Sequence, residues 1–274
     1  MQTPSPVPAI PFLRRDARRG MFWLRQAYSM FRAAPLRWLL LSASYYVFLL
    51  CAQIGPWPTK LAVVLLQPVF VVGFLAAAWG QERGGKPEFR DLFRGFRSNL
   101  RALVPLGLVF FVGMTLAGSA TALIDGGTLI AWVSGGDEPS EEIIASGRLQ
   151  LAMLFGIACA LPTLLALWFA PALVVFHDAG TLTALRTSLR AALVNWRPAA
   201  AFGIAILFYG GVLPALGEAL TRLFDAPVGT IAGVALLLPY ALIFGATFQI
   251  ANYIAYRDVF HGDEPTPVES GQAG

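Results

Sequence analysis

The residues best suited to chemistry lie inside or at the ends of long apolar runs. Gly245, Gln249, Asn252 and Tyr256 recur at helical spacing and make one small and polar stripe. Amides and a phenol on a helix face exchange hydrogen bonds with neutral groups and bring no charge. Two readings stay open: hydrogen bonding between helices, with Gln67, Asn99 or Asn195 as partners, or a ligand site. His177 and Asp178 close another apolar run. They read either as the cap of that helix or, with Arg197, Gln249 and Asn252, as a polar pocket.

Enzymatic signatures are missing from the sequence. It holds no zinc-protease helix, no phosphate-binding glycine loop, no nucleophile elbow and no paired carboxylates in an apolar run. A charge at mid-bilayer costs about 3 kcal/mol on insertion scales and persists where function uses it. Here Asp125 and Glu218 fall at the ends of apolar runs instead. We therefore expect a non-enzymatic protein that needs no cofactor. Cys51 and Cys159 each sit within apolar sequence, which suits packing better than a disulfide or metal site. Leu50 is too large for the small residue a lipoprotein box requires before its cysteine, so lipidation is excluded.

What must position these residues is an all-α polytopic bundle. A chain of 274 residues that is 57% hydrophobic and 13% charged carries more apolar surface than a soluble fold can bury. A helix crosses a hydrocarbon core about 30 Å thick with roughly 20 apolar residues. Six stretches are long enough: 36–54, 61–79, 102–124, 149–176, 199–216 and 228–256. Pro162 and Pro171 in the fourth and Pro239 in the sixth predict kinks. Residues 1–20, rich in proline and then arginine, read as a disordered basic tail, and residues 259–274 as a second tail.

Basic residues set the orientation. Of the 20 Lys and Arg, all but Lys60, Arg148 and Arg222 lie before or at the first turn of span one, between spans two and three, between four and five, or after six. The positive-inside rule then places both termini in the cytoplasm. The longest loop on the opposite side carries Asp137, Glu138, Glu141 and Glu142. With charge spread in this way, a net of +4 indicates a membrane surface and no nucleic-acid partner.

The basic segments also repeat. Before spans one, three and five lies an amphipathic stretch that ends at Pro35-Leu36-Arg37, Asn99-Leu100-Arg101 and Asn195-Trp196-Arg197. The second copy sets Phe89, Leu92, Phe93, Phe96 and Leu100 against Arg90, Arg94, Arg97 and Arg101. The third sets Leu182, Leu185, Leu189 and Leu193 against Arg186, Arg190 and Arg197, and the first sets Met21, Leu24, Tyr28 and Phe31 against Arg25, Ser29 and Arg32. The second span of each unit holds a proline: Pro68, Pro171 and Pro239. The expectation is three units of interfacial helix, span and span. Such helices bury their apolar face among acyl chains and offer arginine to phosphates, at roughly 1 kcal/mol for each arginine near an anionic leaflet.

The segment from Trp168 to Asp178, followed by Ala184-Leu185-Arg186-Thr187-Ser188 and by Asn195-Trp196, resembles an uncharacterised family of small six-span bacterial inner-membrane proteins. More distantly it is similar to the membrane domain of bacterial glycerophosphoryl diester phosphodiesterases. His177 stands where an acidic residue is common in those relatives, and the hydrolase domain has no counterpart in this chain. The resemblance implies a six-span bundle in a bacterial inner membrane and brings no activity.

Two functional expectations result. One is organisation of lipid, especially anionic lipid, or of partner proteins at the cytoplasmic leaflet, with Arg90, Arg94, Arg97, Arg101, Arg186, Arg190 and Arg197 as headgroup contacts. The other is a carrier or channel for a small or amphipathic solute, built on the kinked spans and on His177, Asp178, Gln249 and Asn252. A homo-oligomer fits either.

Overall fold

A computed structural model describes residues 10–262. It is helical throughout the described residues, and six helical stretches are long and apolar enough to cross a membrane: Pro35–Ile54, Trp57–Glu82, Leu100–Asp125, Arg148–His177, Trp196–Thr221 and Ala226–Phe260. The elements run α1 (Arg18–Ala33), α2 (Pro35–Ile54), α3 (Trp57–Glu82), a 3-10 segment (Phe89–Arg97), α4 (Leu100–Asp125), the short α5 (Thr128–Val133) and α6 (Glu141–Ala145), α7 (Arg148–Trp168), α8 (Ala170–His177), α9 (Thr181–Val194), α10 (Trp196–Leu207), a π-turn (Phe208–Val212), α11 (Leu213–Thr221) and α12 (Ala226–Phe260). The expected order of amphipathic segment, span and span thus occurs three times.

Local chemistry starts and stops these helices. Pro35 opens α2, and Pro58, Pro171 and Pro227 sit in the first turns of α3, α8 and α12, where a missing N–H costs no helical bond. The Asn99 side chain caps α4 by accepting from the Ala102 N–H at 3.3 Å. Gly126, at φ 70°, ends α4 in the left-handed conformation that glycine adopts without strain.

Each amphipathic segment docks on the spans of another unit. The 3-10 segment packs on α2 and α3, α9 packs on α7 and α8, and α1 reaches across to α10 and α12, so the first unit meets the third and the order closes on itself. The approach is at backbone contact. A Cβ on Gly95 would overlap the Val69 carbonyl oxygen of α3, and one on Gly20 would overlap the Pro198 carbonyl oxygen of α10. Small residues permit such contact, which is how helices associate where lipid removes the hydrophobic drive between them.

Several expectations change at this point. The buried face of α9 is Ala184, Ser188, Ala191 and Ala192, and that of α1 is Gly20, Trp23, Ala27 and Phe31, whereas Leu182, Leu193, Met21 and Tyr28 are exposed. These exposed side chains belong to the face expected to lie among acyl chains, whereas Phe31, expected on the same face, is buried. The second copy is a 3-10 segment because tighter winding brings Gly95 against α3 while Phe89, Phe93 and Phe96 stay outside. Residues 10–20 are not a loose tail: the Leu13 N–H bonds the Val259 carbonyl at 2.8 Å, and α1 begins at Arg18. Val259 and Phe260 are buried in α12, so the second tail begins later than residue 259. Residues 1–9 and 263–274 of the two expected tails lie outside the described residues.

Candidate functional site: a cavity between spans and an arginine cleft

Two features hold some of the sequence-selected residues, Gln249 and Asn252 in one and Arg90, Arg94 and Arg97 in the other. The first is a cavity of about 380 Å³ between α3, α7, α10 and α12. It exists because α7 packs chiefly on α4 and α9, while α12 packs on α1, α2 and α3, leaving space between the two groups. Pro68 and Pro171 both face this space. A proline cannot donate to the carbonyl four residues before it; α7 gives way to α8 at Phe169, two residues before Pro171, while α3 continues through Pro68.

The polar stripe of α12 lines the cavity. Gln249, Asn252 and Tyr256 face it from α12, and Gln67 faces it from α3. The indole N–H of Trp168 donates to the Asn252 side-chain oxygen at 3.0 Å, which fixes the amide's direction. Gln67 and Gln249 have no hydrogen-bond partner among the described residues. The partners expected for the stripe are elsewhere: Asn99 caps α4, and Asn195 holds the Arg15 N–H at 2.7 Å and the Leu13 carbonyl at 2.9 Å. Stacked rings close one end of the cavity, with Trp168 4.4 Å from Phe169 and 5.5 Å from Phe202, and Trp23 edge-on to both Trp168 and Phe202 at 5.9 Å. On the α7 side the wall is open, where Leu161 and Leu164 are 47% and 41% exposed.

His177 and Asp178 do not join Gln249 and Asn252. Asp178 is exposed and ends α8 at φ 49°, its N–H bonding the Leu173 carbonyl, which is the capping role. His177 stacks on His261 at 5.6 Å, and its buried Nε2 has no hydrogen-bond partner among the described residues. Arg197 lies over the Trp196 ring at 5.5 Å on the exposed face of α10 and is not a member of the cavity wall.

Between the cavity and the basic end lies a layer of buried charge that the sequence reading did not single out. Asp258 is 2% exposed; it accepts from Nε and Nη2 of Arg19 and from the Trp23 indole at 2.8 Å, and it pairs with Arg15 at 3.3 Å. Glu82 pairs with Arg257 and accepts from the Tyr253 hydroxyl, and Arg257 also donates to Gln26 at 3.2 Å. Gln81 ties Trp38 of α2 to the Met30 carbonyl of α1. These bonds weld α1, α3 and α12 together. One clue was available in the sequence: Asp258 is the first acidic residue after the last apolar run, with two arginine pairs in the segment that must return to it.

The second feature is a cleft lined by Arg90, Phe93, Arg94 and Arg97. Arg90 pairs with Glu88 at 2.6 Å and Arg94 with Asp91 at 2.8 Å, so two of the three guanidiniums are held in place. Arg97 has no ion-pair partner among the described residues. Arg101, Arg186 and Arg190 are exposed on α4 and α9, outside this cleft. The cleft thus sets Arg97 and two ion-paired guanidiniums beside the Phe93 ring.

No family model matches the chain, and no solved structure matches it. The distant likeness to the phosphodiesterase membrane domain is therefore not shown. The chain is 28% identical over 256 residues, 91% of its own length and 94% of the relative's, to a Burkholderia thailandensis protein named "Probable inner membrane protein". Six spanning helices and this full-length similarity make the chain a multi-pass membrane protein, similar throughout to one named for the bacterial inner membrane.

Proposed function

We propose that this is a non-enzymatic inner-membrane protein that organises anionic lipid at the cytoplasmic leaflet, with the arginine cleft as its main headgroup site. The observation that supports it is the convergence of Arg90, Arg94 and Arg97 on one cleft with Phe93, next to Phe89 and Phe96, which are also exposed. Rings that enter the acyl region beside guanidiniums at phosphate level make an interfacial anchor with a preference for negative headgroups. The cleft meets the anionic leaflet in the orientation given by the arginine distribution, with the basic end in the cytoplasm. A cysteine placed at Asp137 in a chain lacking Cys51 and Cys159 tests that orientation. It should react with an impermeant maleimide added outside the inner membrane, and protection from the reagent would reverse the topology.

Lipid retention tests the function. Protein purified gently and examined by native mass spectrometry should carry phosphatidylglycerol, and Arg90→Gln with Arg94→Gln and Arg97→Gln should lose most of it. Unchanged retention in a correctly inserted variant removes the reading.

A second reading, a carrier or channel for a small or amphipathic solute, is favoured by the cavity that Pro68 of α3 and Pro171 of α8 line. Uptake into vesicles that vanishes with Gln249→Leu and Asn252→Leu would support it, and uptake indifferent to both would exclude it.

A further inference from the structure

The cavity between α3, α7, α10 and α12 has features that specify a ligand, independently of the arginine cleft and of whether anything is transported. Its volume of about 380 Å³ falls in the range of roughly 300–1,000 Å³ typical of small-molecule sites. Every residue lining it is uncharged, and most are Leu, Val, Phe, Pro or Ala. A charged head placed there would be stripped of water with no counter-ion, which costs far more than the apolar contacts return.

Gln67 and Gln249 present amides to the cavity with no hydrogen-bond partner among the described residues. Both lie within spanning helices, where no bulk water satisfies them. An amide in that position needs an oxygen or hydroxyl from something that enters the cavity. Asn252, held by Trp168, and the Tyr256 ring mark the same end as polar. The open wall at Leu161 and Leu164 faces sideways from α7, the direction of the hydrocarbon, so a chain-bearing molecule can enter from the bilayer.

We infer that this cavity is a lateral binding site for an uncharged amphiphile: an acyl chain lies against α7 and α10, and its hydroxyl or ester head is hydrogen-bonded by Gln249 and Gln67. A monoacylglycerol has this chemistry. Neutrality separates this ligand from the anionic lipid assigned to the arginine cleft, so the two sites fail independently.

The test is fluorescence quenching of the full chain in phosphatidylcholine nanodiscs by a monoacylglycerol brominated on its acyl chain. Trp168 lines the cavity, so its emission, taken as the difference between wild type and Trp168→Phe, should fall saturably. Gln249→Leu should weaken binding about tenfold, the loss expected for one buried hydrogen bond and its orphaned partner. Gly203 gives a variant that spares the polar end: it lines the cavity and a Cβ there meets nothing within 4 Å, so Gly203→Leu fills the space without a backbone clash. It should abolish saturable quenching while thermal stability stays at the wild-type level. The Arg90, Arg94 and Arg97 triple Gln variant should quench as wild type does. Absence of saturable quenching in wild type, equal quenching in Gly203→Leu, or equal affinity for a brominated phosphatidylglycerol would each overturn the inference.

Discussion

The Ser188 hydroxyl accepts a hydrogen bond from the Phe169 N–H at 3.0 Å and donates one to the Leu165 carbonyl at 2.9 Å. In an unbroken helix Phe169 would bond Leu165 directly. Here α7 gives way to α8 at Phe169, two residues before Pro171, and a side chain from α9 fills the gap. The kink that opens the cavity is thus held open by a residue of the third unit's amphipathic helix. A buried backbone N–H left without a partner costs about 1–3 kcal/mol, so Ser188→Ala should lower unfolding stability by that amount in detergent. Ser44 is the matched control: its hydroxyl bonds the Leu40 carbonyl on an exposed face, and Ser44→Ala should stay within about 0.5 kcal/mol. Equal effects from the two variants would deny Ser188 its bridging role.

Asp258 joins the start of the chain to its last helix. Removing one member of a buried, hydrogen-bonded ion pair costs about 3–5 kcal/mol, so Asp258→Ala should be among the most damaging single changes. It should also free residues 10–20 from α12, which limited proteolysis after the arginines there would register as early cleavage. Resistance equal to wild type would mean that α1 docks through Trp23 and Gly20 without help from the carboxylate.

Close backbone approach makes a third case. Gly95→Ala pushes a methyl group into the Val69 carbonyl and should destabilise by about 1–3 kcal/mol, with loss of the 3-10 segment's protection from hydrogen exchange. A Cβ at Gly118, also helical, meets nothing within 4 Å, and Gly118→Ala should be neutral or stabilising by up to about 1 kcal/mol. Similar losses at both positions would show that helix propensity, not the contact with α3, decides the effect.

The spans were readable because hydrocarbon imposes a length and leaves no alternative to helix, and the α12 stripe was readable because amides at helical spacing stand out in apolar sequence. Less could be inferred where tertiary contact decides. Leucine periodicity in α9 marked Leu182 and Leu193 as an outward apolar face, but nothing in it marked the small Ala184 and Ser188 that take the interior. Asp258 and Glu82 look like solvated helix ends until α1 returns over them. The π-turn at Gly210 and Gly211 left no mark beyond two adjacent glycines, a pattern also found in unperturbed helices.

We propose that the arginine cleft meets lipid phosphate in the cell. A photoreactive benzoylphenylalanine at Phe93, which lines the cleft and is 44% exposed, reads that contact. Irradiation of intact cells followed by mass spectrometry of the purified chain should give an adduct with the mass of an anionic glycerophospholipid, lost when Arg90, Arg94 and Arg97 are all Gln. Adducts to protein alone, or lipid adducts indifferent to the arginines, would contradict it.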